Sequence, residues 1–599
     1  MDRTWFPRTV AALAVLLAIA SATGVASAQD TNDKLDRALR NGKRSGKSQR
    51  VIVKAKAGYE AWARQLLAQQ GKNIDAELPS IGALAVELSP AELELCKSGL
   101  LDGCSEDSYV TPSGAAAKPA PVRDRKKTPT SRLVPVPSYS APALNTLLGT
   151  LGLTPPPNFG LGVTVAVIDS GIHPSAAFAG RIVAFYDFTT GGVRAKQPFD
   201  DYGHGTHVAG LIGGMQTLAD LEYEGVAPGV SFVGLKVLDK NGGGRTSDVI
   251  RAIEFAIANK KKFGIDIINL SLGHPIFEPA ATDPLVQAVE KASKAGIIVV
   301  ASAGNHGVND QGEIGFAGIT SPGNAPSALT VGAADHKATV TRDDDRIAVY
   351  SSNGPTWFDG LVKPDFVAPG HFLASEASPN SSLFKTYPTL RKKGKSGKEF
   401  LQLSGTSMSA AVVSGVVAVL KQQSTQALTP NLAKAVLQFT AIPVKDDSGA
   451  DYSPLRQGTG EINALGAVNV VSALRHTSSF TEPRLSLATV RKTTIGNQSY
   501  AWAGNIVWGE NIVWGDNIVW GENIVWGDNL LKPLDNSNRA FNDDNIVWGN
   551  LSDDNIVWGN NDDNIVWGNN DDNIVWGNND DNIVWGNATN VLVIGKGGK

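Results

Sequence analysis

The stretch Val163 to Ile168 in "VTVAVIDSGI" is almost wholly apolar, and an acid, Asp169, closes it. A short apolar run without polar alternation is the signature of a strand buried on both faces, as in parallel sheets covered by helices on either side. The expected architecture is therefore α/β, a doubly wound and mostly parallel sheet. In such open sheets the carboxyl ends of the strands border the crevice where ligands sit, so Asp169 faces a candidate site. Taken alone, the acid could equally cap a turn.

Two further segments carry chemistry. In "DYGHGTHVAGLIGG", His204 stands between two glycines ahead of a small-residue helix pattern, which leaves its ring open to a crevice, whereas His207 falls inside the helix and reads as structural. In "LSGTSMSAAVVSGVVAVL", Ser407 follows Gly405 and Thr406 at the start of a long apolar helix, where the helix dipole favours developing negative charge. Ser404 and Ser409 are nearby competitors; the glycine-bearing turn on one side and the buried helix on the other favour Ser407. A serine hydroxyl needs a base to take its proton, and a neutral imidazole needs a partner to fix its tautomer and stabilise its charged form. Asp169, His204 and Ser407 supply those three roles, in that chain order, with no cofactor required.

On "VAVIDSGI", "GHGTHVAG" and "GTSMSAA", residues from about 139 to 475 resemble the catalytic domain of the subtilisin-like (subtilase) serine peptidases. The resemblance implies a serine endopeptidase acting on proteins or peptides. It implies that Asn305 of "SAGNHG" completes the oxyanion hole, a donor whose loss costs about 2.7–4 kcal/mol, a magnitude that itself comes from a subtilisin. Ser271, Leu272 and Gly273 with Ser302, Ala303 and Gly304 resemble the two walls of the primary specificity pocket, Thr320 its floor, and Gly242, Gly243 and Gly244 the edge that pairs with an extended substrate. Small residues along those walls leave room for a medium or large apolar side chain. Ala411 stands where the family usually has proline, and "GGMQTLADLEYEGVAP" lacks the Asn-rich loop of the strong calcium site of bacterial subtilisins. The insert between Pro369 and Ser404, basic from Arg391 to Lys398, reads as a surface loop, with a substrate-contacting flap as the other reading.

Upstream, residues 1–28 read as a cleaved signal peptide, with basic flanks, the apolar run "VAALAVLLAIA" and the small-x-small "ASA", so an exported protein is expected, with no transmembrane span. Residues 29–110 form a small α+β unit: strand "RVIVKAK", helix "GYEAWARQLLAQQG", strand "IGALAVELS". The two cysteines of the chain, Cys96 and Cys104, lie in this unit; export permits their pairing without requiring it. By position and βαβ-like pattern the unit resembles the family's inhibitory propeptide, which makes it the expected inhibitor of its own chain. The Pro-, Ala- and Lys-rich stretch 111–138 reads as a cleavable linker, with maturation expected between about Val110 and Ser138.

Beyond the peptidase-like segment and a linker at 476–504, "NIVWG" occurs nine times between residues 505 and 587, first at period 6 and then at period 9 or 10, ahead of a short tail, 588–599. Such periods suit stacked coils, a thin β-solenoid with Ile and Trp on one strand face. The nonapeptide partly matches the RTX calcium repeat, with Asn in place of its key Asp, so calcium-bound coils, calcium-free coils and a disordered self-associating tail all stand as readings. From Ala501 onward the chain holds 15 acidic and 4 basic residues against a net charge of −4 for the whole, so the tail is acidic and the rest basic. Near-neutral overall charge gives no sign of a nucleic-acid partner. An alternative function follows from the tail: surface adhesion or self-assembly, with retention at the cell surface and the peptidase-like segment serving maturation.

Overall fold

The structure is a computed structural model that describes residues 34–43, 46–112, 146–153, 159–215, 225–308, 312–394, 396–476, 483–485 and 491–504, and beyond them only strand segments between Ile512 and Ile594. The expected signal peptide, the linker from Ser113 and the loop 216–224 lie outside the described residues.

The N-terminal unit holds strands β1 (Gln49–Ala55), β2 (Ile74–Leu78), β3 (Ala83–Leu88) and β4 (Leu101–Glu106), with helices α1 (Arg37–Lys43) and α2 (Glu60–Gln69). Its sheet order is β2-β3-β1-β4, and β1 runs antiparallel to both neighbours, which corrects the βαβ-like expectation. The polypeptide between β1 and β3 carries a further strand, β2, so β3 arrives as the partner of a hairpin rather than by a parallel crossover. Cys96 and Cys104 are disulfide-bonded within this unit. One face of its sheet packs Val51, Val53, Leu84 and Val86 with Leu67 of α2 as a small core of its own. The other face, through Ile52, Leu78 and Ala85, joins the core of the larger domain. A fifth strand, β5 (Tyr109–Pro112), leaves this unit for the cleft of that domain, so Thr111 and Pro112 belong to a strand rather than to the linker.

The larger domain is built on β6 (Thr164–Asp169), all six residues of which are buried. It lies between β9 (Ser231–Lys236) and β11 (Ile265–Leu270), parallel to both. The sheet continues past β11 through β13 (Ile298–Ser302) and β15 (Leu329–Asp335) to β17 (Phe366–Pro369), and past β9 to β7 (Ile182–Asp187), all in parallel. Among the described residues, only two short border strands, β8 (Arg194–Ala195) and β16 (Arg346–Ile347), pair antiparallel with it. The mostly parallel α/β sheet thus matches the expectation. Successive side chains of a strand point to opposite faces, and β6 divides accordingly. Val165 and Val167 pack with helices α3 (His204–Gly213) and α6 (Thr406–Gln423), whereas Ala166 and Ile168 pack with α4 (Thr246–Ala258) and α5 (Pro284–Lys294). Each of the valine and isoleucine side chains contributes roughly 1.5–3 kcal/mol by burial.

The insert at 370–403 is not a surface loop. Leu373–Ser375, Arg391–Lys393 and Glu399–Leu403 form a three-stranded sheet, and a short helix, Ser382–Thr386, hangs from it. Its backbone bonds the turn ahead of His204, with Ser382 N–H donating to Asp201 O at 2.9 Å and Leu383 N–H to Tyr202 O at 3.0 Å.

In the repeat region the nonapeptides pair two apart. Asn545–Trp548, Asn564–Trp567 and Ile583–Trp585 form one parallel ladder, with each Asn, Ile, Val or Trp facing its own kind. Asn555–Trp558, Asp572–Trp576 and Asn590–Ile594 form a second parallel ladder. The hexapeptide block differs: Ile518–Trp520 and Ile524–Trp526 pair antiparallel, as neighbours six residues apart must when too few residues separate them for a crossover.

Candidate active site

Asp169 ends β6 at 0% exposure, and both its carboxylate oxygens lie 2.9 Å from His204 Nδ1. His204 is the first residue of α3. The close approach of α3 to the end of β6 depends on Gly205, where a Cβ would stand 2.2 Å from the carbonyl oxygen of Gly171. A carboxylate on Nδ1 holds the ring in the tautomer that leaves Nε2 as the accepting nitrogen.

Sequence reasoning passed over the group that fixes this helix start. Asp200 is buried and accepts from Gly203 N–H at 2.7 Å, Thr206 N–H at 2.9 Å, Thr206 Oγ1 at 2.6 Å and Ser170 Oγ at 2.9 Å. Ser170 Oγ in turn accepts from Gly205 N–H at 2.9 Å, so one network ties the strand bearing Asp169 to the helix bearing His204. Burial pushes the Asp200 carboxyl up, against the pull of the Thr206 and Gly203 donors. The available signal was an acid shortly before "GHG", adjacent to a second acid that blurs it.

Ser407 is the second residue of α6, buried at 2% exposure, and its Oγ donates to Ser271 O at 3.0 Å. Ser271 Oγ donates back to Ser407 O at 2.9 Å. The competing hydroxyls are committed elsewhere: Ser404 Oγ accepts from Phe372 N–H at 2.9 Å and Ser409 Oγ donates to Ala368 O at 3.0 Å. Asn305 lies beside the same helix start, its Oδ1 accepting from Thr406 N–H at 3.0 Å. With Oδ1 tied to α6, the Nδ2 end is the one left to donate outward.

Ala411 is fully buried inside an unbroken α6, so alanine in place of proline leaves the helix continuous. His207 is buried, with Nε2 3.1 Å from Leu373 O, and burial, then the neighbouring His204, lower it to about 3, which keeps it neutral. Among the described residues no group of three or more His, Cys, Asp or Glu is placed to hold a metal ion.

The remaining expected positions converge on the same cleft. Strand β12 (Leu272–Pro275) pairs antiparallel with Thr320–Ser321, and Thr320 N–H donates to Ala303 O at 3.0 Å, which brings together Gly273, Ala303 and Thr320. Ser302 ends β13 and Gly304 follows, its N–H donating to Thr406 Oγ1 at 3.1 Å. Across the cleft Gly244 and Arg245 form β10.

Between these two edges lies β5. Val110 and Tyr109 face Gly244 and Arg245, and Pro112 and Thr111 face Leu272 and Gly273, antiparallel on both sides. Val110 is fully buried among Leu238, Val249 and Leu272. Tyr109 lies directly over Gly243, so a Cβ there would force the tyrosine ring to shift. The acid thus bonds the imidazole, the hydroxyl bonds the wall strand at Ser271, and β5 runs antiparallel between that wall and β10.

Residues 160–460 match the model of the Subtilase family, Peptidase_S8. The chain is a subtilase. The segment matched holds every residue of the constellation, from Asp169 to Ser407. This subtilase is 38% identical over 314 residues to "Serine protease AprX" of Bacillus subtilis (strain 168), covering 52% of this chain and 66% of that protein. It is 33% identical over 262 residues to "Subtilisin DY" of Bacillus licheniformis, covering 44% of this chain and 77% of that one. Among solved structures, fervidolysin from Fervidobacterium pennivorans, described as a keratinolytic enzyme related to subtilisin, superposes with a TM-score of 0.52 at 21% identity, over 71% of this chain and 61% of that one. That likeness bears on the fold.

Proposed function

We propose that this subtilase is an exported serine endopeptidase made as a zymogen, with Asp169, His204 and Ser407 as its catalytic residues and residues 34–112 as its inhibitor. The observation that carries the reading is the placement of β5, a segment of the chain itself, along the cleft that ends at Ser407. Antiparallel pairing on both sides is how an extended substrate binds, with main-chain hydrogen bonds for affinity and side-chain pockets for choice. The inhibitor therefore occupies the enzyme as a substrate does.

In the reaction, Ser407 Oγ attacks a peptide carbonyl carbon while His204 Nε2 takes the hydroxyl proton. Asp169, 2.9 Å from Nδ1 through each oxygen, stabilises the imidazolium that forms. The carbonyl oxygen becomes an oxyanion facing Asn305 Nδ2 and the N–H of Ser407, at the positive end of the 18-residue α6. His204 then protonates the leaving amine, and water hydrolyses the acyl-enzyme by the same proton path.

Three supports come from the N-terminal unit. Asp107, fully buried, accepts from Ser247 N–H at 2.8 Å and Ser247 Oγ at 2.9 Å, so it caps helix α4 of the larger domain. Glu254 on the same helix accepts from Ser80 N–H at 2.7 Å. Arg37 N–H donates to Phe277 O at 3.1 Å. The acidic repeat tail stands outside this chemistry, and we read its nonapeptide block as coils of two repeats each, from the pairing of alternate units.

Casein degradation by the wild-type chain after incubation that lets it mature, and by Ser407→Ala treated alike, tests the reading: robust hydrolysis is expected from the first and none from the second. Equal or absent activity in both would sink it. Asn305→Ala is expected to lose about 10²–10³ in kcat with little change in KM.

A further inference from the structure

Three consecutive glycines edge the cleft, and they are glycines for different reasons. Gly242 has a φ of 80°, in the left-handed region that side chains disfavour. A Cβ on Gly244 would run into the carbonyl oxygen of Val237, fixed backbone of the same domain. Gly243 differs from both. Its φ is not positive, and the three atoms that a Cβ would meet first, Oη, Cζ and Cε1, all belong to Tyr109 of the N-terminal unit. A glycine at 243 therefore leaves room above the cleft edge for an aromatic ring.

The larger domain builds this slot by itself. Asp239 Oδ1 accepts from Asn241 N–H at 2.8 Å and Gly243 N–H at 3.0 Å, and Asp239 N–H donates to Gly243 O at 2.7 Å, which closes the turn that carries the glycines. The ring of Tyr202 packs over the adjoining Gly242. Arg245 supplies the other wall: its guanidinium carbon stands 5.7 Å from the centre of the Tyr109 ring, within cation–π range. Arg245 Nη1 also donates to Asp107 O at 3.2 Å, so one guanidinium reads both the ring and the main chain of its occupant.

The ladder delivers a ring to the slot by register. Val110 pairs with Gly244 and Tyr109 with Arg245, and Val110 is buried among Leu238, Val249 and Leu272. Successive side chains of a strand point to opposite faces. Any extended peptide that seats an apolar side chain in Val110's place therefore carries its preceding side chain to Gly243 and Arg245. Resting on the reading of the protein as a peptidase inhibited by its own N-terminal unit, we propose that Gly243 and Arg245 form a subsite for an aromatic residue of the substrate, the one that precedes the residue seated among Leu238, Val249 and Leu272. Tyr109 fills the subsite in the inhibited chain, and a substrate ring takes its place after the N-terminal unit leaves. Tyr109 is 42% exposed, so the slot is shallow, and it selects by preference rather than by exclusion. The substrate class is an extended segment with an aromatic residue followed by an apolar one, as in Tyr109-Val110.

The test uses the matured enzyme and quenched fluorescent peptides that carry Xaa-Val-Thr-Pro, as at 109–112, ahead of one fixed remainder. Xaa is Tyr, Phe, cyclohexylalanine or Ala, and rates are compared at the bond that product masses show to be common to all four. In wild type, kcat/KM for Tyr and Phe is expected to exceed that for Ala by about 5- to 20-fold, with cyclohexylalanine between them because it fills the slot without a π face. Gly243→Ala is expected to bring the Tyr-to-Ala ratio near one, and Arg245→Gln to bring Tyr down to cyclohexylalanine. A ratio taken within one enzyme does not depend on how much of a variant folds. Equal rates for Tyr and Ala in wild type, or a ratio unchanged by Gly243→Ala, would overturn the subsite. Casein hydrolysis by the same samples tells the two failures apart. An enzyme that degrades casein but is indifferent to Xaa refutes the subsite alone, whereas a wild type that cuts neither casein nor peptides refutes the peptidase reading beneath it.

Discussion

The two packing surfaces of α4 and α5 differ in kind. Toward the sheet, these helices press Ile253, Val286 and Val289 onto buried strands, with all three at 0–1% exposure. Toward the N-terminal unit, the contact mixes a thin apolar layer with carboxylates: Asp107 on the start of α4, Glu254 on Ser80, and a small cavity bordered by Asp36, Glu106, Glu278 and Asp283. The first surface is built to persist. The second holds its groups by hydrogen bonds that water can replace, which suits a partner that must leave.

Substitutions can break or sharpen that contrast. The largest effect is expected in the sheet: Ile267→Ala on β11, fully buried, is expected to lower unfolding free energy by about 2–5 kcal/mol, read by denaturant titration of the mature domain. A loss confined to the N-terminal unit would reverse the contrast. Next comes Asp107→Ala, which leaves Ser247 and Arg50 without their buried acceptor. Release of the N-terminal unit is expected to become easier by about 1–3 kcal/mol, measured as its inhibition of casein hydrolysis, with the melting of the larger domain unchanged.

Smaller still is a pH effect at the carboxylate cavity. Burial, then the neighbouring Asp283 and Asp36, raises Glu278 to about 8, and burial raises Asp36 to about 7. Docking therefore favours the protonated acids. Below about pH 4 both states are protonated and docking is at full strength. As pH rises from there to about 8 the separated partners ionise first, so docking weakens across that window and then levels off. The other groups facing the cavity are His274, whose Nε2 has no partner there, and Asp283, whose Oδ2 has none. Glu278→Gln is expected to flatten the pH dependence of release, and an unchanged slope would assign it to other groups. Smallest of all, Arg64→Ala removes an exposed ion pair with Glu77 and is expected to change neither stability nor inhibition measurably.

How much of this was legible in the sequence divides along the same line. The apolar run ending in Asp169, the glycines around His204 and the apolar helix after Ser407 are local patterns, and the structure forms each as a buried strand or helix, with Asp169 bonded to His204, because burial of each run allows few alternatives. The walls at Ser271–Gly273 and Ser302–Gly304 came by resemblance; in the structure Leu272 and Gly273 pair with β5, and Ser302 ends β13. Three features escaped. Thr111 and Pro112 looked like linker, because their strand exists only through pairing with residues more than 130 positions away. The insert after Pro369 looked like a surface loop, because its partners are backbone groups of Asp201 and Tyr202, which no side-chain pattern encodes. Asp200 was missed because a network that caps a helix from three residues upstream resembles an ordinary acidic turn.

The central claim is that His204 activates Ser407 in a cleft the N-terminal unit can vacate. It is tested most directly by mass spectrometry of the mature protein after exposure to a phosphonofluoridate, which bonds only to an activated serine. A single adduct on the peptide containing Ser407, absent from His204→Ala, is the result the account predicts. An adduct on another serine, or one that survives the His204 substitution, would contradict it.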